Sequence, residues 1–414
     1  MEIAISLIAS IITILIFGKD IVTFIKRKIK PDDAHSVDEI TNEVIDYSHF
    51  IEEKTKDFVG RKFVFDVIEQ FTEDNPRGYF IIRGEPGIGK SAFAAYFVKN
   101  KKCPHHFNIR AEAVGKGSNF LKNICVQLIL KYNLDRSIFL SLEVVQKGRV
   151  LSEVLEKSAQ KASSKILIMI DALDEIDEAE FTRGVNPLYL PKILPDNVYV
   201  VITTRPLGDK SPRLSIECEH ESFTIDWDSA NNKADVREYL EKTVIRPGIQ
   251  NFINAHDIDN ENFINHLSEK SQGNFMYLRY VIPDIEKGIY TDQVIPKGLI
   301  NYYEDHWQRM CGQDEDAWAK YKLPIIVALT AVRNPISIDL IAKYSKISSE
   351  QSRIVLVLEE WREFLYETEV PYQGGLQKRY RLYHKSFYDF LVKKIDLKSK
   401  HSDISDVLLG DFFK

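Results

Sequence analysis

Cysteine is scarce in this chain of 414 residues: Cys103, Cys125, Cys218 and Cys311 lie far apart, with no C-x-x-C pair. That spacing excludes a zinc knuckle and a disulfide framework, and it fits a reducing compartment. An excess of positive charge is missing too. Lys and Arg number 55 against 61 Asp and Glu, a net charge of -6, so no global electrostatic footprint points to nucleic acid, although a local basic patch stays open. No internal repeat is present. Bulk disorder is excluded, because 44% hydrophobic and 28% charged residues are ordinary for globular protein. The length suits two or three domains with real cores.

What is present is the stretch Tyr79 to Ser91. Tyr79 to Ile82 form a short apolar run, Gly84, Gly89, Lys90 and Ser91 fill G-x-x-x-x-G-K-S, and the residues after Ser91 read as a helix. This is a strand, a glycine loop and a helix start. Glycines let successive N-H groups turn toward phosphate oxygens, and the helix macrodipole adds to the attraction. The loop Gly84, Glu85, Pro86, Gly87, Ile88, Gly89, Lys90 and Ser91 is therefore expected to cradle a nucleotide. Lys90 would reach the β and γ phosphates, and the Ser91 hydroxyl would ligate Mg2+.

One uncharged run stands at the amino end, Ile3 to Phe17. Fifteen helical residues span about 22 Å against a hydrocarbon core of about 30 Å, but Ile21, Val22, Phe24 and Ile25 continue the apolar pattern and Lys19 can snorkel. Lys19, Lys26, Arg27, Lys28 and Lys30 follow the run, with only Glu2 before it. The expectation is a single-pass helix in the inner (cell) membrane with the remaining domains in the cytoplasm. Ser6, Ala9, Ser10 and Thr13 share one face, which either lets such helices associate or serves hydroxyls bonded to their own carbonyls.

Residues 31–57 turn polar and acidic and read as a linker with a surface helix. Beyond the phosphate loop, strands are expected at His106 to Ile109, Ile166 to Asp171, Val198 to Thr204 and Phe223 to Asp226, with helices between them. Continuous apolar strands are those of a parallel sheet covered on both faces. Asp171, at the carboxyl end of its strand, is the candidate for holding Mg2+ through its water shell. Asp174 and Glu175 are candidates for orienting or deprotonating the attacking water, the alternative being a solvated acidic turn. Arg205 follows the next strand and would stabilise γ-phosphate charge, or simply cap the strand end before Pro206.

With these pieces placed, the chain resembles the STAND class of signal-transduction ATPases, the NACHT and NB-ARC-like regulators. The resembling residues are Phe58-Val59-Gly60-Arg61, the loop Gly84 to Ser91, Asp171-Ala172-Leu173-Asp174-Glu175, Thr203-Thr204-Arg205-Pro206, Gly273-Asn274-Phe275-Met276-Tyr277, Pro296-Lys297-Gly298-Leu299 with Tyr302-Tyr303, and Tyr383-His384-Lys385-Ser386-Phe387. The resemblance implies that Val59 and Arg61 form the adenine side of the pocket and that Arg205 senses the γ-phosphate. It implies that Gly273 to Tyr277 begin a lid and that His384 reaches the β-phosphate of ADP. Lys62 stands where the family often has Glu.

The fold class expected is α/β: a doubly wound parallel-sheet P-loop NTPase core (58–230) followed by an α-helical lid (231–318) and a winged-helix domain (319–395). A membrane helix with its basic flank (1–30), an acidic linker (31–57) and the start of a carboxyl-terminal helical segment (396–414) complete the chain. Three helical patterns and the strands flanking Gln373-Gly374-Gly375 carry the winged-helix reading. Its expected recognition helix sets Glu350, Glu359 and Glu360 against Arg353 and Arg362, so it is read as a nucleotide-coupled lever, and no nucleic-acid partner is expected. STAND proteins usually continue into sensor repeats, so the chain is either a short member or one whose sensor is cut off.

The function expected is a membrane-anchored ATPase switching between ADP and ATP with Mg2+. On an unknown trigger it would form a homo-oligomer for signalling, antiviral defence among the responses. The rival readings are a membrane-tethered AAA+-type remodelling ATPase and a nucleotide-bound scaffold that does not hydrolyse.

Overall fold

The computed structural model describes residues 43–109, 117–135, 147–176, 185–206, 214–312, 314–332, 334–347, 350–372 and 375–395. A short helix α1 (Ser48–Thr55) and the amphipathic α2 (Lys62–Asp74) precede β1 (Gly78–Gly84). Then follow α3 (Lys90–Lys101), β2 (His105–Phe107), α4 (Gly117–Lys131), α5 (Lys147–Lys161), β3 (Ile166–Asp171), β4 (Val198–Thr204) and β5 (His220–Ile225). All pairings in this sheet are parallel, in the order β2-β3-β4-β1-β5.

Apolar alternation explains why the sheet is covered twice. Along β4, Val198, Val200 and Ile202 join the cluster of α4 and α5, whereas Tyr199 and Val201 join that of α2 and α3. Successive strand side chains point to opposite faces, so an all-apolar strand needs helices on both. The α/β phosphate-loop core is therefore doubly wound, and the loop between β1 and α3 opens at the carboxyl edge of the sheet.

The next residues are helical: α6 (Ala230–Val244), α7 (Pro247–Ala255), α8 (Asn260–Ser271), α9 (Phe275–Glu286) and α10 (Leu299–Gly312). Residues Phe263 to Lys287 are helical by period, and they form two helices that part at Gly273, whose φ of +69° follows the end of α8 before Asn274 caps α9. Helix α11 (Leu323–Ala331), a two-residue β6 (Ile336–Ser337), α12 (Ile338–Tyr344) and α13 (Gln351–Glu360) come next. The antiparallel pair β7 (Leu365–Tyr372) and β8 (Gly375–Leu382) and then α14 (Lys385–Lys394) complete the order. These helices share one apolar core with α6 to α10, centred on Trp361, Tyr302, Tyr303 and Phe364.

Among the described residues no helix is long and apolar enough to cross a membrane. The expectation of a single-pass protein of the inner membrane is corrected on that finding. The run from Ile3 to Ile25 that carried it lies outside the described residues, as do the acidic residues after Ile176 and the carboxyl-terminal helical segment expected over 396–414.

Candidate nucleotide site

The glycines of the loop do what the spacing requires. Gly87 and Gly89 hold φ of +84° and +100°, a region that costs other residues energy, and they curl the backbone into the start of α3. Lys90 Nζ donates to the carbonyls of Gly84 at 2.6 Å and Glu85 at 3.0 Å, so the lysine folds over its own loop. Burial pulls its ammonium down to about 8, partly opposed by Asp174 and Asp171.

Strand β4 separates β3 from β1, yet the side chains meet across it. Ser91 hydrogen-bonds the buried Asp171 carboxylate, and Thr203 Oγ1 donates to Asp171 Oδ1 at 2.5 Å while accepting from the Ala172 N-H at 2.9 Å. Burial raises the Asp171 carboxyl above its usual range, against these bonds. Ser91 and Asp171 offer the hard oxygen donors that Mg2+ takes. Asn108, at the end of β2, donates Nδ2 to the Asp171 carbonyl at 2.8 Å, and its own buried Oδ1 has no partner among the described residues. An orphaned acceptor beside that pair fits the water of a hydrated cation. Among the described residues no three His, Cys, Asp or Glu cluster as a metal site.

The two candidate acids after Asp171 part company. Asp174 is buried and committed: Arg205 Nε lies 3.2 Å from its Oδ2, the Arg205 N-H donates to Oδ1, and Lys385 Nζ lies 3.6 Å away. Glu175 instead lines a cavity of about 220 Å³ together with Ser91, Asn108, Asp171 and His384. Burial first, and then Asp174, raise its carboxyl above the ordinary range.

Arg205 does not line that cavity. Its Nη1 reaches Asp389 of α14 at 3.0 Å, so one guanidinium ties the core to the carboxyl-terminal helix. His384 caps α14, its Nδ1 accepting from the Ser386 N-H at 3.2 Å and lying 2.6 Å from Ser386 Oγ, which in turn meets Tyr303 Oη at 2.9 Å. Burial, then Arg205, Lys54 and Lys90, hold His384 well below the usual imidazole range, so it is neutral.

Val59 is buried, and Arg61 is more deeply so. Arg61 is no open pocket wall: it donates to Ile88 O at 2.5 Å and Asn232 Oδ1 at 2.8 Å, and pairs with Asp235 at 3.2 Å. Glu85, Pro86 and Ile88 border a second groove, with Asn274 on one side and Ser386 and Asp389 on the other. Asn274 Nδ2 donates to Pro86 O at 2.9 Å and Met276 N to Gly87 O at 3.1 Å, which sets the start of α9 against the phosphate loop. Motif reading missed Asn108 and Lys54, both on the cavity wall. A polar residue at a strand's carboxyl end was the available signal for the first, whereas nothing local marks the second.

Residues 66–205 match the family model described as Nephrocystin 3, N-terminal, a span from α2 through the phosphate loop to Arg205. No curated protein matches the chain. A STAND protein with a tetratricopeptide repeat sensor from Pyrococcus horikoshii is similar at 15% identity and a TM-score of 0.45, over 84% of this chain. The chain spans 45% of that protein's length. Drosophila ORC bound to DNA aligns at 12% identity, TM-score 0.34, over 80% of this chain and 94% of that one. The RuvB Holliday junction branch migration motor of Thermotoga maritima aligns at 12% identity, TM-score 0.30, over 82% and 98%.

Proposed function

We propose that the chain is a regulatory ATPase in which ADP holds the carboxyl-terminal helices against the phosphate-loop core and ATP releases them. The observation that carries this reading is one cavity with two owners: Ser91, Asp171 and Glu175 come from the core, and His384 and Lys385 from the start of α14. A group seated there touches both units, so its phosphate count sets their mutual affinity.

In this reading α6 to α10 form the lid and residues 319–395 the winged helix, as a lever. Lys90 and the loop N-H groups hold phosphate oxygens, and Ser91 and Asp171 hold Mg2+, which supplies charge neutralisation at the phosphates. Glu175, with its raised proton affinity and its place on the cavity, takes the proton of the attacking water. Asp174 positions Arg205 instead. His384, neutral, can donate one hydrogen bond from Nε2 to a phosphate oxygen while Nδ1 accepts from Ser386. Freed protomers then associate to signal, in answer to a trigger.

The test is the nucleotide content and turnover of the purified protein beside Lys90→Ala. The expected result is close to one trapped ADP per chain and turnover well below about one per second, lost in the variant. Fast turnover from an empty pocket would establish a remodelling motor instead, and bound ATP without phosphate release a scaffold.

A further inference from the structure

The helix that precedes the core, α1, supplies a wall of the same cavity. Phe50, Glu53 and Lys54 line it opposite Ser91, Asn108, Asp171 and Glu175. Glu53 Oε1 takes Arg279 Nη2 at 2.6 Å and Tyr383 Oη at 2.8 Å, and it meets Lys54 through that shared phenol, where, against burial, the Lys54 charge helps to hold its carboxyl below the usual range. Lys54 is not neutralised in that way. Its ammonium contacts the Tyr383 hydroxyl, sits 4.5 Å from the Tyr383 ring centroid and 5.4 Å from that of Phe50. Among the described residues no carboxylate lies within 4 Å of it.

Burial and then the neighbouring Arg279 charge lower the Lys54 ammonium to about 8, while Glu53, Asp171 and Glu175 act to keep it charged. A half-buried cation held by the Tyr383 hydroxyl and the Phe50 ring, with no carboxylate in direct contact, can take an anion from the cavity it lines. On the same wall Asn108 Oδ1 is a buried acceptor without a donor among the described residues. The group that completes both at once carries negative oxygens and donates hydrogen bonds, which describes a phosphate with a hydrated divalent cation.

We propose that Lys54 is a second phosphate-binding lysine of the site, supplied by α1, that turns from Tyr383 to the terminal phosphate of a nucleoside triphosphate, with Asn108 accepting from the cation's water. The assignment rests on the nucleotide reading of this site. It gives the segment before the core a direct part in telling triphosphate from diphosphate. When Lys54 leaves Tyr383, α1 gives up one of its contacts to the carboxyl-terminal unit, so the same movement reports to both ends of the chain.

The experiment is calorimetric titration of the full chain, cleared of nucleotide, with ADP and with a non-hydrolysable ATP analogue, each with and without Mg2+. Lys54→Met is expected to weaken the Mg-triphosphate by about tenfold or more, the scale of one charge-assisted bond, and ADP by less than about threefold. Lys54→Arg is expected to restore most of the loss. Asn108→Ala is expected to shrink the gain in affinity that Mg2+ brings. Lys90→Ala separates the two readings. If it abolishes binding while Lys54→Met matches the unaltered protein, or loses both ligands equally, the role of Lys54 is overturned and the nucleotide site stands. If Lys90→Ala binds normally, the nucleotide site itself falls.

Discussion

The Arg61 guanidinium lies 3.2 Å from Asp235 Oδ2 while it donates to the carbonyl of Ile88 inside the phosphate loop. The pair is made by backbone shape as well as charge. Gly60 and Arg61 both hold left-handed φ, and a Cβ on Gly60 would stand 2.1 Å from Asp235 Oδ1. The turn therefore wraps a carboxylate of α6 and aims Arg61 at the loop. Burial lowers the guanidinium to about 10 and raises the Asp235 carboxyl, so each is costly alone.

Asp235→Ala is expected to leave that buried charge unpaired and to destabilise by about 3 kcal/mol or more. Urea unfolding followed by intrinsic fluorescence checks it, and nucleotide affinity should fall with it because Ile88 loses its anchor. Arg61→Lys should behave like a loss, since an ammonium cannot span Ile88, Asn232 and Asp235 together.

Arg205 joins Asp174 of the core to Asp389 of α14, and Asp389 is half exposed whereas Asp174 is buried. Removing the arginine should therefore act on the closed arrangement more than on folding of the core. Arg205→Ala is expected to speed release of a fluorescent ADP analogue by about tenfold or more. Asp389→Ala is expected to give a smaller increase of the same sign. Release at the unaltered rate in both would remove Arg205 from the switch.

The core behind α14 contains a pair whose titrations oppose each other. His306 Nδ1 lies 3.3 Å from Glu363 Oε1, with Trp361 and Phe364 packed on the imidazole. Burial, then Arg309, Lys287 and Lys322, lower His306 to about 3, while burial and Asp284 raise Glu363 to about 7. Stability from Glu363 is full below about pH 4.5 and is lost as pH rises toward 7. Stability from His306 is full above about pH 6.5 and is lost as pH falls toward 3. The slopes offset each other between these limits. Glu363→Gln should thus leave a protein whose stability rises with pH more steeply than that of the unaltered chain from 4.5 to 7. His306→Phe should reverse that difference, and urea midpoints across the range read both.

The central strands β3 and β4 are legible because buried parallel strands are apolar without interruption, as in Ile166 to Ile170 and Val198 to Ile202, whereas the mostly exposed β5 begins at His220, three residues before the run that reads as a strand. Their positions come from the sequence, whereas their ends come from pairing: β1 runs from Gly78 because Gly78 meets Tyr199. Helix α7 was missed although Pro247 at its first turn and the period of Ile249, Phe252 and Ile253 mark it. The phosphate loop is legible because its conformation is local. The choice between Asp174 and Glu175 is not, since Arg205 and Lys385, distant in sequence, decide which carboxylate is committed. For the same reason Arg61 looked like a pocket wall and is a buried anchor, two of its partners, Asn232 and Asp235, standing more than 170 residues away.

Gly273 offers a way to disturb the phosphate loop from the turn between α8 and α9. Its φ is +69°, and a Cβ there would stand 2.3 Å from Trp227 O and 2.5 Å from Asn232 Nδ2. Asn232 accepts from Arg61 and donates to Gly273 O, and the next turn gives Asn274 to Pro86 and Met276 to Gly87. Gly273→Ala must therefore move either Asn232, and Arg61 with it, or the start of α9. Gly288 is the control: its φ is +72°, yet nothing among the described residues lies within 4 Å of its added Cβ. Gly288→Ala should cost about 1 kcal/mol of backbone strain and leave nucleotide affinity unchanged. Gly273→Ala should cost more than that and weaken ADP several-fold, measured by calorimetry beside thermal unfolding. Equal affinity in the two variants would mean that α9 and the loop touch without being coupled.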